Sequence, residues 1–218
     1  MRGSLAYSRA MLAFTPDGAP GDEDLMLAYA AGDASAFDAL YERHRGGVYR
    51  YLVRHCGNAA AADEMFQDVW MSVIRVRATY APSAKFTTWI YRIAHNRVVD
   101  HWRATGQVEL VSAGGGQPGG GHSGGDPDDD DAPDPLAAIA GARGYEPEVR
   151  VAAKQLGARL YAALSLLPPA QRDAFLLHQE GGLSLSEIAA LTGSGVETVK
   201  SRLRYALAKL RTELADLQ

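Results

Sequence analysis

A single cysteine, Cys56, is the whole thiol complement of this 218-residue chain. It leaves no internal disulfide and no multi-thiolate metal cage. No apolar run approaches the roughly 18–20 residues needed to cross a bilayer. The opening MRGSLAYSRAMLAF has two arginines but no long apolar core and no cleavage site, so it does not read as a secretory signal. A reduced, soluble, cytoplasmic protein without membrane association is expected. Positive charge is not in excess either: 22 basic residues face 26 acidic ones, for a net charge of −4. That excludes a histone-like chain held to nucleic acid by bulk charge; any nucleic-acid surface must be local. Period-2 alternation bounded by hairpin turns is missing, so strands are not expected. His44, His55, His95, His101 and His178 show no HExxH spacing and Cys56 no CxxC partner. They read as scattered surface residues, with no metal and no cofactor. The glycines follow no strand and open no helix, so no Walker or Rossmann loop is present. No catalysed reaction is expected.

What the chain does have is uneven. A hydrophobic content of 47% is ordinary for a globular core and excludes wholesale disorder. Residues 104–148, however, hold 11 of the 23 glycines, and nine acidic residues against Arg143 alone. This stretch carries −8, and the remainder carries 21 basic minus 17 acidic residues, or +4. The acidity of the protein is therefore a property of one segment. Glycine-rich, self-repelling sequence buries too little surface to offset its ordering entropy, so 104–148 is expected to be a flexible linker. It separates a helical module at 22–103 from a second at 149–218, and 1–21 reads as a disordered extension. The expected fold class is all-α, two small helical domains.

Module one begins with a short helix carrying Leu25, Leu27 and Ala28, broken at Gly32-Asp33, after which Ser35 can cap a second helix. Phe37, Leu40, Tyr41, Val48, Tyr49 and Leu52 recur there at helical spacing, and Gly57-Asn58 ends it. A third helix, about 61–76, has an apolar stripe of Met65, Val69, Val73 and Val76 and an outer face of Glu64, Gln67 and Asp68. After Ala81-Pro82 a fourth helix starts near Ser83 or Lys85, with Phe86, Trp89, Ile90 and Ile93 on its core face. Thr88, Tyr91, Arg92, His95, Val99, Trp102 and Arg103 project the other way. Rings interleaved with guanidinium groups suit single-stranded nucleic acid, because rings stack on unpaired bases while arginines hold phosphates. The periodicity fits equally well a helix whose aromatics pack on a neighbour and whose arginines are solvated.

Module two carries the sharper local signal. Ser184 and Glu187 form a capping-box pattern, with Leu183 and Ile188 placed as a hydrophobic staple. Gly193 suits a left-handed helix end. Ser194 with Glu197 repeats the capping pattern and opens a helix to about Leu214, with a stripe of Val199, Leu203, Leu207, Leu210 and Leu214. Short helix, glycine turn, longer helix is the order of a helix-turn-helix. Lys200, Arg202 and Arg204, beside Ser201 and Tyr205, supply donors for base edges and phosphates. Glu197 would be repelled by phosphate unless it caps the helix or accepts from a cytosine amino group.

The run DLMLAYAAGDASAFDALYERHRGGVYRYLVR, then ADEMFQDVWMSVIR, then FTTWIYRIAHNRVVDHWR, closely resembles region 2 of group 4 sigma factors, the extracytoplasmic-function (ECF) type. LSLLPPAQRDAFLLHQEGGLSLSEIAALTGSGVETVKSRLRYALAKL resembles their region 4. The order, the spacing and the absence of a recognisable region 3 domain between them match as well. This resemblance implies an alternative sigma factor that binds core RNA polymerase and directs promoter-specific initiation. Glu64, Gln67 and Asp68 stand where the family docks on the β′ clamp, and region 4 would meet the β flap. Ser83 to Thr87, and behind them Thr88, Tyr91, Arg92, His95, Asn96, Trp102 and Arg103, match the reader that captures a base extruded from the −10 strand. In that set Lys85 and Phe86 open the helix. Lys200, Ser201, Arg202, Arg204 and Tyr205 match the −35 reader. The resemblance also implies promoter DNA as a partner and an anti-sigma factor as antagonist. Glu197 and Gly195 depart from the residues frequent in the family. The family's linker threads a positively charged polymerase cleft, where Asp126 to Asp134 would either mimic nucleic-acid phosphate or serve as a passive tether. Two other classes remain open: a stand-alone helix-turn-helix regulator, and a sigma-like decoy in a signalling cascade. Neither needs a single-strand platform.

Overall fold

The computed structural model describes residues 20–106 and 157–215, and every regular element in them is helical. Residues 1–19, 107–156 and 216–218, which include nearly all of the expected extension and of the expected linker, lie outside the described residues. In module one, α1 (Asp22–Ala30), α2 (Ala34–Cys56), α3 (Ala59–Val76) and α4 (Phe86–Ala104) pack in sequence, with a 3₁₀ turn at Arg77–Thr79. Module two comprises α5 (residues 157–165), α6 (Pro169–Gln179), α7 (Leu185–Thr192) and α8 (Val196–Glu213).

Local chemistry accounts for the boundaries. Asp22, Glu23 and Asp24 crowd the first turn of α1, where the helix dipole favours negative charge. Asp33, rather than Ser35, caps α2: its carboxylate accepts from the Ser35 amide at 2.9 Å. Asn58 caps α3 in the same way through the Ala61 amide at 3.2 Å. Gly57, at φ 68°, closes α2 in the left-handed region, and any side chain there would also collide with the Tyr161 hydroxyl of α5. The start of α4 has no side-chain cap from Lys85. Glu23 reaches over from α1 instead and accepts from the Phe86 amide at 2.7 Å. The first helix therefore fixes the origin of the fourth.

Leu40, Val48, Leu52, Val69, Val73, Phe86 and Ile90 form the floor of module one, all fully buried. On one flank Phe37, Tyr41, Phe66 and Trp70 meet edge to face, with ring centroids 4.9–6.2 Å apart. In module two the Ser184–Glu187 capping box forms as the sequence predicts, and Gly193 ends α7 at φ 65°. The second predicted box does not form. Gly195 occupies the cap position of α8, and the Ser194 hydroxyl bonds Thr192 Oγ1 at 2.8 Å. The α8 stripe is also rotated from expectation: Val199, Leu203, Ala206 and Leu210 are buried, whereas Leu207 is 47% exposed.

The two modules touch. Helix α6 packs against α2, and module two spreads across α4. This contact overturns the expectation that the second face of α4 looks outward. Thr88, Tyr91, His95 and Trp102 are all buried, Tyr91 to 1% exposure. At about 100° per residue they lie roughly opposite Phe86, Ile90 and Ile93, so α4 is buried on two opposed faces.

Candidate nucleic-acid interface

The helix-turn-helix edge stands open. Lys200, Arg204 and Tyr205 are exposed, and Ser201 and Arg202 are half-buried beside them. The Arg204 guanidinium lies 5.1 Å from the centre of the Tyr205 ring, so ring and cation form one amphipathic unit. Glu197, in the first turn of α8, sits 3.7 Å from Lys200 and orients it. Between α7 and α8 a shallow groove of about 400 Å³ is lined by Leu185, Leu203 and Leu207 and rimmed by Lys200, Arg204 and Arg211.

The α4 residues divide into three groups. Lys85, Arg92, Asn96 and Arg103 are exposed along one edge. Phe86 and Trp102 belong to the packing of module one: Phe86 lies in the core, and Trp102 meets the His55 ring edge-on at 5.2 Å. Thr88, Tyr91 and His95 are held by module two. Thr88 Oγ1 donates to Glu187 Oε1 at 2.8 Å. The Tyr91 hydroxyl donates to the Glu180 carbonyl oxygen at 2.7 Å, its ring against Tyr51. His95 Nδ1 lies 3.2 Å from Asp173 Oδ2. Glu64, Gln67 and Asp68 are exposed on α3, as the sequence predicts, with Arg97 4.0 Å from Asp68.

The groups that hold the modules together were not singled out by the sequence. Asp173 of α6 is 4% exposed and accepts from the Tyr51 hydroxyl at 2.7 Å. His55 Nε2 approaches it to 3.4 Å. Glu180 receives Arg50 at 2.6 Å and Arg54 on its other oxygen. Burial alone would raise the Asp173 pKa, but the charge of His95 and hydrogen bonds from His55 and His95 outweigh it and hold the carboxyl far below the usual range. Burial opposes a charge on His95, and attraction to Asp173 overcomes it, so His95 is raised. His55 has burial as its dominant influence and is lowered. Burial pushes the Tyr91 hydroxyl well above the usual phenol range, so it stays a donor at physiological pH. Ser184, followed by Thr88, pulls Glu187 down to about 2. His55 and His95 are thus buried network members, correcting the expectation of scattered surface histidines. Asp173 was legible in principle as a lone carboxylate between Ala174 and Arg172 on a buried helix face.

Comparison with known proteins now decides the family. Residues 40–107 match the sigma-70 region 2 model and residues 157–210 the sigma-70 region 4 model. The ECF sigma factor SigE of Mycolicibacterium smegmatis is 33% identical over 201 residues, covering 90% of this chain and 70% of that protein. RpoE of Cereibacter sphaeroides is 33% identical over 84% of this chain and 88% of its own. The chain belongs to the ECF sigma factors. CarQ of Myxococcus xanthus is 29% identical, over 88% of this chain and 97% of that one. Two solved structures share the fold. The complex of CnrH with the cytosolic domain of CnrY has a TM-score of 0.59 at 21% identity, covering 89% of this chain and 97% of that one. The Bartonella quintana RpoE–NepR complex has 0.55 at 18%, covering 82% and 96%. Module one is region 2 and module two region 4 of an alternative sigma factor, a transcription regulator that directs RNA polymerase to promoters. Among the described residues no helix is long and apolar enough to cross a membrane, and no cluster of metal-ligating side chains occurs.

Proposed function

We propose that this sigma factor works in the cytoplasm and docks on the β′ clamp of core polymerase through Glu64, Gln67 and Asp68. It grips −35 duplex through Lys200, Ser201, Arg202, Arg204 and Tyr205, and captures the −10 strand along α4. The observation that carries this reading is the open edge of α8, where Lys200, Arg204 and Tyr205 stand exposed just past the helix-turn-helix glycine. A major groove admits such a helix, and an arginine reaching a guanine edge discriminates by about 1–3 kcal/mol. Glu197, already paired with Lys200, is positioned to accept from a cytosine amino group. On α4 the exposed Lys85, Arg92, Asn96 and Arg103 would hold phosphates of the unpaired strand, with Thr88, Tyr91 and His95 behind them. Phe86 and Trp102 shape the platform from beneath. Extruding a base costs a few kcal/mol, which stacking and a pocket must offset. Neither module need bind strongly alone, because attachment to polymerase raises the effective concentration of the second contact. The β flap would carry region 4. An anti-sigma factor would occlude these same surfaces, in line with the partners named in the CnrH and RpoE complexes.

Run-off transcription tests the reading. Core polymerase and this chain, offered templates with randomised −35 and −10 elements, should select specific start sites. Arg204→Ala should cut use of the selected −35 by about tenfold or more. Charge reversal at Glu64 and Asp68 should abolish initiation by loss of core binding. A chain that fails to bind core would refute the proposal.

A further inference from the structure

We propose that Glu197 and Lys200 together set a base preference of the −35 reader: the couplet admits a C·G pair at one position and turns the other pairs away. The inference rests on the assignment of α8 to −35 duplex and adds what that helix selects. At about 100° per residue, Glu197, Ser201, Arg204 and Ala208 fall within roughly 60° of one another. They lie opposite the buried line of Val199, Leu203, Ala206 and Leu210, so Glu197 sits on the midline of the face offered to DNA. Its side chain is 85% exposed, and the Lys200 ammonium stands 3.7 Å away on a side chain 66% exposed. A carboxylate at that place needs a reason, because phosphates repel it.

The two first-turn glutamates of module two show that the helix itself does not use Glu197. Glu187 of α7 is committed: it accepts from the Ser184 amide at 2.8 Å and from the Ser184 hydroxyl at 2.6 Å, closing a capping box. No such box forms at α8. Its cap position is Gly195, which has no side chain, and the Ser194 hydroxyl that would have answered Glu197 bonds Thr192 instead. Among the described residues Lys200 is the one ionic partner of Glu197. The failed cap leaves its carboxylate available to a donor from outside the protein.

An acceptor beside a donor has a definite complement in the major groove. Cytosine offers its N4 amino group and the paired guanine offers O6 and N7, so Glu197 takes the amino hydrogen while Lys200 bridges the two guanine acceptors. An A·T pair also sets a donor beside an acceptor. Adenine N7 then faces the second carboxylate oxygen, however, and the thymine methyl stands where the lysine would find its second acceptor. Guanine or thymine facing Glu197 presents only acceptors and leaves a desolvated carboxylate unpaired. Selection therefore works by rejection as much as by attraction. Arg204 stands two turns further on, about 10.5 Å along the axis, and addresses a different base pair.

Holoenzyme assembled from core polymerase and the full chain tests the proposal. The templates carry the −10 element selected in run-off assays and a randomised −35 element, each tied to a transcribed barcode, so that transcript counts give a preference at every −35 position. Wild type should favour C·G about tenfold at one position, distinct from the position that Arg204→Ala relaxes. Glu197→Gln should move that preference to A·T, because an amide accepts from adenine N6 while donating to N7. Glu197→Ala should flatten it and raise use of the disfavoured templates about threefold, since a charge that repels phosphate is gone. Lys200→Ala should weaken the preference at that same position. Glu197 is exposed, so these variants keep the fold. Wild-type preferences in Glu197→Gln would overturn the proposal. So would an equal drop on all templates with C·G still favoured, which would reduce Glu197 to a charge that stabilises the helix. Specific initiation by wild type without any −35 preference would remove the α8 assignment beneath the inference, and failure to initiate at all would strike the sigma reading itself.

Discussion

On α8 the groups that would meet duplex stand in solvent, whereas on α4 those that would meet an unpaired strand lie partly under region 4. Tyr205 is 55% exposed and Tyr91 1%. Duplex is read through charge and hydrogen bonds, and a charged helix edge is content in water. A stacking platform is an apolar surface, and exposed apolar surface tends to find a cover. The difference teaches that reading a base pair and holding an extruded base place opposite demands on the free protein. One edge can wait open, while the other is stable when something shields it.

The sharpest way to break this contrast is to delete one ring from each side. Trp102→Ala removes a side chain 2% exposed and packed on His55, and should cost about 3–5 kcal/mol in denaturant unfolding of region 2. Tyr205→Ala should move stability by no more than about 0.5 kcal/mol while weakening −35 binding. Equal losses of stability from the two variants would erase the distinction.

A smaller effect tests how the covered face is aimed. The first turn of α4 takes its cap from Glu23, 63 positions earlier in the chain. Glu23→Ala should cost about 1 kcal/mol and speed hydrogen exchange at the Phe86 amide, leaving the Asn58 cap of α3 untouched. If exchange at Phe86 is unchanged, the cap does not hold the helix start.

How much of this was legible follows from what local sequence can encode. The helices of region 2, the Ser184 box, the Gly193 turn and the exposed Glu64, Gln67 and Asp68 all follow from spacing within one element, and spacing is what a sequence displays. The Glu23 cap and the Asp173 and Glu180 contacts join residues far apart in the chain, and no periodicity announces them. Tyr91 and His95 show the limit most directly. Their placement opposite the Phe86 stripe was correct, but a helical wheel cannot say whether the second face meets water or a neighbour. Ser194 failed for a different reason: Gly195 satisfies the same capping position, and the serine turned back to Thr192.

The smallest predicted effect belongs to Leu207, which the leucine spacing had placed in the core stripe. At about 100° per residue, Val199, Leu203, Ala206 and Leu210 cluster within roughly 60° of one another, and Leu207 falls about 40° beyond that cluster. The buried line is therefore the one that includes an alanine, and Leu207 lies on the open groove beside Leu185. Leu207→Gln should leave the unfolding midpoint of region 4 within about 0.5 kcal/mol of wild type, while Leu203→Ala, four residues earlier, should cost about 2–5 kcal/mol. A large loss from Leu207→Gln would mean that α8 is rotated toward the leucine line. Lys200 and Arg204 would then turn with it, and the open edge proposed to meet duplex would no longer be the one described.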